Sequence, residues 1–105
     1  MHRKIKFTPT AAGQYSDLEN TPSRAGIFEQ VRKAIGYLEI DPHHPGLITH
    51  QFTSLAGANG EKVFEAYAQN KTPGAYPIFW HYGPDETKAK KRIPIITVVA
   101  ITPHP

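Results

Sequence analysis

The chain of 105 residues has no cysteine. Disulfide bridges, thiolate zinc sites and cysteine nucleophiles are therefore excluded. It also has no long apolar run, because the most apolar stretch, Ile93–Ile101, is interrupted by Pro94 and Thr97 and is about half as long as a membrane-spanning helix. The basic start of the sequence lacks the apolar block of a signal peptide. We therefore expect a cytoplasmic protein with no membrane contact.

Motifs for the commonest cofactor chemistries are missing as well. The sequence has no GxGxxG, P-loop or GxSxG motif, so dinucleotide, nucleoside-triphosphate and serine-hydrolase chemistry have no support. His43 and His44 stand next to each other near Asp41, but adjacent histidines rarely face one ion, and no second ligand cluster has the spacing of a zinc site. We therefore predict no metal and no cofactor.

The composition that remains is that of one folded domain. Hydrophobic residues make up 39% of the chain and charged residues 20%, which is too apolar for a disordered protein. We interpret residues 1–105 as a single domain. Lysine and arginine number 12 against 9 acidic residues, and the net charge of +3 mildly favours an acidic partner or a polyanion.

The first 40 residues predict one strand and two helices. Residues 2–7 alternate basic and apolar side chains, which is typical of a strand. A Thr-Pro pair then starts a helix that runs to about Asn20. Thr21 and Pro22 repeat this start signal before an apolar stripe at helical spacing, and the helix should stop near Ile40. The short connection predicts an antiparallel helical hairpin.

The second half of the sequence predicts strands separated by turn residues. The predicted strands are residues 47–52, 62–70, 75–82 and 93–102, with a loop at 54–61, a turn at 71–74 and a polar excursion at 83–91. The last strand is almost continuously apolar, which indicates a central position in the sheet. The predicted fold is α+β: an N-terminal strand, a helical hairpin and an antiparallel meander of three to four strands. The helices should cover one sheet face and leave the other for solvent or a ligand.

This arrangement resembles the RelE/ParE superfamily of bacterial toxins from type II toxin–antitoxin systems. The resemblance rests on the element order β-α-α-β-β-β and on five stretches: IKFTPTA, DPHHPGL, SLAGANG, YPIFWHY and ITVVAITPHP. It covers nearly the whole chain. It implies a RelE/ParE-like fold, an antitoxin protein as partner in a possible hetero-oligomer and, in most RelE-like branches, metal-independent cleavage of ribosome-bound mRNA.

Several positions depart from the pattern of the nuclease branches. Pro77 stands where those branches usually carry an arginine, and His50 or Gln51 stands near the place of a catalytic glutamate. Pro105 occupies the place of a tyrosine, and His104 alone matches directly. Two other functions therefore stay open: a non-catalytic ParE-like toxin that inhibits DNA gyrase, and a degenerate homologue that only binds RNA or protein.

Metal-free RNA cleavage needs a base, an acid and fixed cations, and histidine can serve as either base or acid. The catalytic candidates are His104, His50, His81 and Glu65. Each also has a structural interpretation: His104 as a tail residue, His50 as a strand-edge cap, His81 as a surface strand residue. Glu65 can orient a histidine, act as the base or pair with a lysine across strands.

Binding of RNA needs cations for phosphates and flat rings for bases. Tyr67 and Tyr76 are the candidate stacking residues, although both also suit a core, and Trp80 is assigned to the core. The candidate cations are Lys62, Lys71, Lys90, Lys91 and Arg92. The densest basic run, residues 88–92, can equally be a solvated loop. Together, the sequence and the resemblance predict an endoribonuclease toxin that represses translation on the ribosome.

Overall fold

The structure is a computed structural model that describes residues 2–67 and 76–103. The helices are α1 (Pro9–Glu19) and α2 (Ala25–Ile40). The strands are β1 (Lys4–Phe7), β2 (His50–Ala56), β3 (Lys62–Ala66), β4 (Ile78–Tyr82), β5 (Glu86–Lys88), β6 (Lys91–Ile93) and β7 (Ile95–Ile101). In the described part, the protein is thus a mixed α+β fold with two helices and a mostly antiparallel sheet.

Helix α1 begins where the sequence predicts. The Thr8 side chain accepts a hydrogen bond from the Ala11 backbone N–H at 3.2 Å, and Pro9 is the first helical residue. The hydroxyl thereby satisfies one of the N–H groups that have no partner within the helix, and proline lacks such a group. Asn20 follows the helix and closes its last turn, as expected.

Helix α2 begins later than predicted but ends where predicted. Pro22–Arg24 form a 3₁₀ turn, and the Thr21 hydroxyl donates to the Asp17 carbonyl instead of capping the next helix. The helix proper therefore starts at Ala25. It ends at Ile40 because Asp41, which precedes a proline, is extended.

The main sheet has the strand order β1-β7-β4-β3-β2. Strands β2, β3, β4 and β7 form the predicted antiparallel meander, and β7 has neighbours on both sides, as its apolar sequence indicates. Strand β1 pairs with β7 in parallel, with Ile5 opposite Ile96. The N-terminal strand therefore extends the sheet beyond its last strand.

Both helices pack on one face of this sheet. Leu18 of α1 and Leu38 of α2 join Trp80 and Ile96 in one buried cluster. Trp80 is 1% exposed, which confirms its assignment to the core. The stripe of α2 thus buries its apolar side chains as the helical spacing predicts.

The sequence predicts that the opposite face of the sheet is left for solvent or a ligand, but part of this face is buried. Val63, Phe79 and Ile95 alternate with residues of the helix-side cluster, yet each is at most 1% exposed. The ring of Phe52 in β2 lies 4.8 Å from that of Phe79 in β4, although β3 separates their strands. The sheet therefore curls enough to bury part of its own second face.

Residues 83–91, expected to be a polar excursion, contain most of a second small sheet. Strands β5 and β6 pair antiparallel around a loop of two residues, Ala89 and Lys90. The carboxylate of Glu86 in β5 forms ion pairs with Lys4 and Lys6 of β1. These contacts fix the hairpin against the edge of the main sheet.

Strand boundaries differ from the prediction around β2. Leu47 lies in a 3₁₀ turn, Pro45–Leu47, and β2 runs from His50 to Ala56, into the predicted loop. Strand β3 ends at Ala66, and the predicted turn at 71–74 lies outside the described residues. Neither helix of the described ranges has the length and apolar character needed to cross a membrane.

Candidate functional site

The histidine at the start of β2 faces a carboxylate on the next strand. His50 lies directly opposite Glu65 in the antiparallel pairing of β2 and β3, and its Nε2 contacts Glu65 Oε1. The Tyr67 hydroxyl donates to Glu65 Oε2 at 3.4 Å. Three of the sequence-predicted residues therefore meet at one place, and we call them the His50–Glu65–Tyr67 cluster.

The members of this cluster differ sharply in exposure. The Glu65 side chain is 5% exposed, whereas that of His50 is 55% exposed. Burial raises the pKa of the Tyr67 phenol, and the neighbouring Glu65 carboxylate raises it further. Tyr67 therefore stays a hydrogen-bond donor to Glu65 across the neutral range, while His50 reaches solvent.

This geometry selects one tautomer of His50. A carboxylate can only accept, so an imidazole beside Glu65 places its proton on Nε2. In a neutral ring, the lone pair is then on Nδ1, and the ring is held by a buried acceptor. An oriented imidazole with a free lone pair is the arrangement of a general base.

A cavity of about 450 Å³ has His50 in its lining but neither Glu65 nor Tyr67. Its lining comes from the segment between α2 and β2, which includes His43 and His44, from the start of β2, and from the helix-side face of β3 and β4, the face opposite Glu65. His44 is fixed there, since its ring stacks on Tyr37 at 4.0 Å and its Nδ1 accepts from the Gly46 N–H. Among the described residues, no group of three His, Asp or Glu side chains is placed to hold a metal ion.

The remaining described candidate for acid–base chemistry, His81, lies inside the protein. It occupies the sheet face opposite the helices, as its alternation with Trp80 predicts, but it is only 4% exposed. Its Nδ1 is 2.9 Å from the carbonyl oxygen of Tyr82. A substrate cannot reach this imidazole without a rearrangement of its surroundings.

The candidate RNA-binding residues are spread over three places. Lys62 is exposed at the start of β3, and Lys90 and Lys91 are exposed at the tip of the β5–β6 hairpin. Arg92 is exposed as well, but its Nε is 2.8 Å from Asp85 Oδ2. Tyr76 is half-buried against Arg24. The structure therefore joins Tyr67, but not Tyr76, to the catalytic candidates.

Two candidates, Lys71 and His104, lie outside the described residues. Strand β7 ends at Ile101, which pairs with Ile78 of β4. In the neighbouring row of the sheet, Ala100 pairs with Phe79, and Phe79 pairs with Glu65. His104 follows three positions after the end of that strand.

No protein-family model, curated protein or solved structure matches the chain. The function of the chain is therefore inferred from its own residues.

Sequence reasoning found His50 and Glu65 separately but missed their pairing. A regular ladder continued from the Ala56–Lys62 pair would place Thr53 opposite Glu65. An irregularity between Gln51 and Ala56 shifts the register and brings His50 there instead. No sequence signal specifies this shift, because the stretch has neither a glycine nor a proline before Gly57.

Proposed function

We propose that the chain is a metal-independent endoribonuclease of the RelE/ParE toxin type, with His50 as its general base. The observation that carries the proposal is the exposed imidazole of His50 held by the buried carboxylate of Glu65. RNA supplies its own nucleophile, the 2′-hydroxyl, so a base that removes this proton is sufficient to start cleavage.

The proposed reaction is transfer of the phosphate within the RNA chain. His50 Nδ1 takes the proton of the 2′-hydroxyl, and the 2′-oxygen forms a bond to phosphorus. The bond from phosphorus to the 5′-oxygen breaks, and that oxygen leaves with a proton from an acid. The products are a 2′,3′-cyclic phosphate and a 5′-hydroxyl end. Glu65 fixes the tautomer and stabilises the imidazolium that forms.

The proposed acid and the proposed cation are residues outside the His50–Glu65–Tyr67 cluster. His104, which the RelE/ParE resemblance assigns to catalysis, is the proposed donor to the leaving oxygen. Lys62, exposed at the start of β3, is the proposed cation for the phosphate. Negative charge grows on the phosphate oxygens in the transition state, so a fixed ammonium group lowers the barrier.

The test is cleavage of a defined RNA oligonucleotide by the purified chain in the presence of EDTA. We expect a 2′,3′-cyclic phosphate product from RNA and no cleavage of the DNA oligonucleotide of the same sequence. The variant His50→Gln keeps a donor for Glu65 but removes the base, and we expect its rate to fall about 10²–10⁴-fold. Glu65→Gln should also slow cleavage, because a neutral amide binds the His50 imidazole more weakly than the carboxylate does.

A matched control is available at the N-terminus. His2 is exposed, and its Nδ1 lies 3.8 Å from Glu39 Oε1, so it is also a histidine beside a carboxylate. His2→Gln should cleave like the wild-type chain. The same reactions are run with programmed ribosomes, where the toxin interpretation predicts faster cleavage. Cleavage that survives in His50→Gln, or that is missing with and without ribosomes, contradicts the proposal.

One observation favours the non-cleaving alternative, a ParE-like toxin that acts on DNA gyrase. Pro77, which stands where the nuclease branches carry an arginine, has a fully buried side chain. Induced expression in bacteria separates the two functions. Growth arrest with mRNA breaks that are lost in His50→Gln supports the nuclease. Growth arrest with DNA damage and intact mRNA supports gyrase inhibition. The absence of any growth effect supports a homologue that only binds RNA or protein. In both toxin functions, the proposed partner is an antitoxin protein that silences the chain.

A further inference from the structure

A second cavity, of about 220 Å³, lies between α1 and the edge of the sheet where β4 begins and β7 ends, and no step of the proposed reaction uses it. Asp17 and Leu18 follow Gln14 by three and four residues, so all three lie on one side of α1 and line this cavity. Tyr76, a candidate RNA-binding residue, is also part of the lining. The volume is below the common range for drug-sized ligands, about 300–1,000 Å³, and suits a single flat ring.

Two hydrogen-bond donors of the lining are held in place by contacts of their own. Gln14 Oε1 accepts from the Ile101 N–H at 2.7 Å, so the two N–H donors on Nε2 form the other end of a fixed amide. Arg24 donates to the Tyr76 hydroxyl, and its guanidinium lies 5.3 Å from the centroid of the same ring. Arg24 is exposed, so its remaining N–H groups are accessible to a ligand.

The acceptor of the lining is the carboxylate of Asp17. Asp17 is exposed, and within residues 2–67 and 76–103 its carboxylate forms no ion pair or hydrogen bond, because the Thr21 hydroxyl donates to its backbone carbonyl. A carboxylate can only accept, and its two oxygens can bind two neighbouring donors at once. The lining therefore suits a flat ring that has two adjacent donors beside an acceptor.

Guanine is the RNA base with this pattern. Its Watson–Crick edge carries the acceptor O6 next to two donors, N1–H and the N2 amino group. Adenine and cytosine have one amino group next to acceptors, and uracil has one N–H between two carbonyl groups. A carboxylate can therefore accept from two adjacent donors on guanine but from only one on each of the other three bases.

We propose that this cavity is a guanine subsite for the RNA. Asp17 accepts from N1–H and the N2 amino group, Gln14 donates to O6, and Arg24 binds the phosphate of the same nucleotide. This inference rests on the proposed function, since it names a base that the substrate RNA carries. Contacts to the base edge select the sequence, whereas the phosphate contact only adds affinity.

The guanine subsite and the His50–Glu65–Tyr67 cluster lie at the same end of the sheet but on opposite faces. Glu65 pairs with Phe79, and Phe79 pairs with Ala100, which precedes Thr102 of the cavity lining by two residues. Glu65 and Thr102 are thus about 10 Å apart across the strands and about 7 Å apart along them. The guanine therefore belongs to a neighbouring nucleotide of the RNA and not to the ribose that reacts.

The test is a nuclear magnetic resonance titration of the isotope-labelled full chain with GMP, IMP, AMP, CMP and UMP. IMP is GMP without the N2 amino group, so it lacks one of the two proposed donors to Asp17. We expect saturable shifts of the Gln14 side-chain amide resonances with GMP. The dissociation constant for IMP should be about 10-fold higher, because a hydrogen bond to a charged group is lost. No saturable shift with GMP, or equal affinities for GMP and IMP, overturns the proposal.

Three variants separate the base contact from the phosphate contact. Asp17→Asn leaves the backbone carbonyl that Thr21 binds in place, and we expect it to bind GMP and IMP equally. Arg24→Gln should weaken the binding of all five nucleotides by a similar factor. Glu19→Gln makes a carboxylate-to-amide change at an exposed position of α1 outside the lining, and it should keep the wild-type preference for GMP. A preference for GMP that survives in Asp17→Asn overturns the assignment.

The binding and cleavage assays fail independently. Binding of GMP by a chain that does not cleave RNA supports the guanine subsite and contradicts the nuclease. In a chain that cleaves, we expect cuts at a fixed distance from guanines in an RNA of random sequence, and loss of this preference in Asp17→Asn. Cleavage at sites unrelated to guanine supports the nuclease and contradicts the subsite.

Discussion

At the scale of single residues, Ile48 has the backbone geometry that is hardest to explain by local preference. Its φ of 48° and ψ of 50° lie in the left-handed helical region, where a β-branched side chain is strained. The cost is about 1–2 kcal/mol. The preceding turn imposes this geometry, because the Ile48 N–H donates to the Pro45 carbonyl. Strain of this kind is often retained at functional sites, and Ile48 lines the cavity between the α2–β2 segment and the sheet.

The substitution Ile48→Asn should make the protein more stable. Asparagine tolerates the left-handed region better than other non-glycine residues, and the replaced side chain is already 41% exposed. We expect the free energy of unfolding in urea to rise by about 0.5–1 kcal/mol. Ile48→Val keeps the branched Cβ and should change it by less than about 0.5 kcal/mol. An asparagine variant less stable than wild type would show that packing of Ile48 outweighs its strain.

At the scale of elements, local signals were sufficient for the helices but not for the strand register. Thr8 and Pro9 start α1 through contacts within one turn, so the sequence predicts that end correctly. The pairing of His50 with Glu65 depends instead on an irregularity in the β2–β3 ladder. Such a shift is decided by packing of the whole sheet, including the contact of Phe52 with Phe79. Candidate residues could therefore be predicted, whereas their arrangement could not.

The β5–β6 hairpin was missed for a related reason, and it yields a prediction. Its two loop residues, Ala89 and Lys90, have φ values of 52° and 65°, as a type I′ turn requires. That turn strongly prefers Asn-Gly, so Ala-Lys carries no turn signal. The double substitution Ala89→Asn with Lys90→Gly should raise the free energy of unfolding by about 1 kcal/mol. Chemical denaturation measures it.

The control for this hairpin is Lys90→Ala. It removes the same charge but leaves a side chain in the left-handed region, so its stability should match that of the wild-type chain. If Lys90→Ala stabilises the protein as much as the double substitution, relief of charge repulsion rather than of backbone strain explains the effect.

At the scale of the whole molecule, the strand registers place the basic hairpin and the cluster at different ends of the sheet. The hairpin connects the end of β4 at Tyr82 to the start of β7 at Ile95. Glu65 pairs with Phe79 of β4. Phe79 precedes Tyr82 by three residues, which is about 10 Å along the strand. The sequence predicts Lys62, Lys90 and Lys91 as members of one set of phosphate contacts. The fold separates the lysines of the hairpin from the cluster, and the β3–β4 register, continued to the start of β3, places Lys62 beside Tyr82 at the hairpin end of the sheet.

This separation predicts two classes of RNA contact. The triple substitution Lys88→Gln, Lys90→Gln and Lys91→Gln should weaken binding of a 12-nucleotide RNA and leave binding of a dinucleotide unchanged, because only the longer RNA reaches the hairpin. If all three lysines contact phosphates, the slope of log affinity against log salt should become shallower by about 2, at roughly 0.7 per neutralised phosphate of a single strand. Salt titrations of both RNAs by fluorescence anisotropy measure this.

The exposed pair Arg32 and Lys33 on α2 provides the control, since its substitution by glutamine lowers the net charge without touching the hairpin. A control that changes the slope as much as the hairpin variant would mean that net charge, rather than a defined path along the hairpin, holds the RNA.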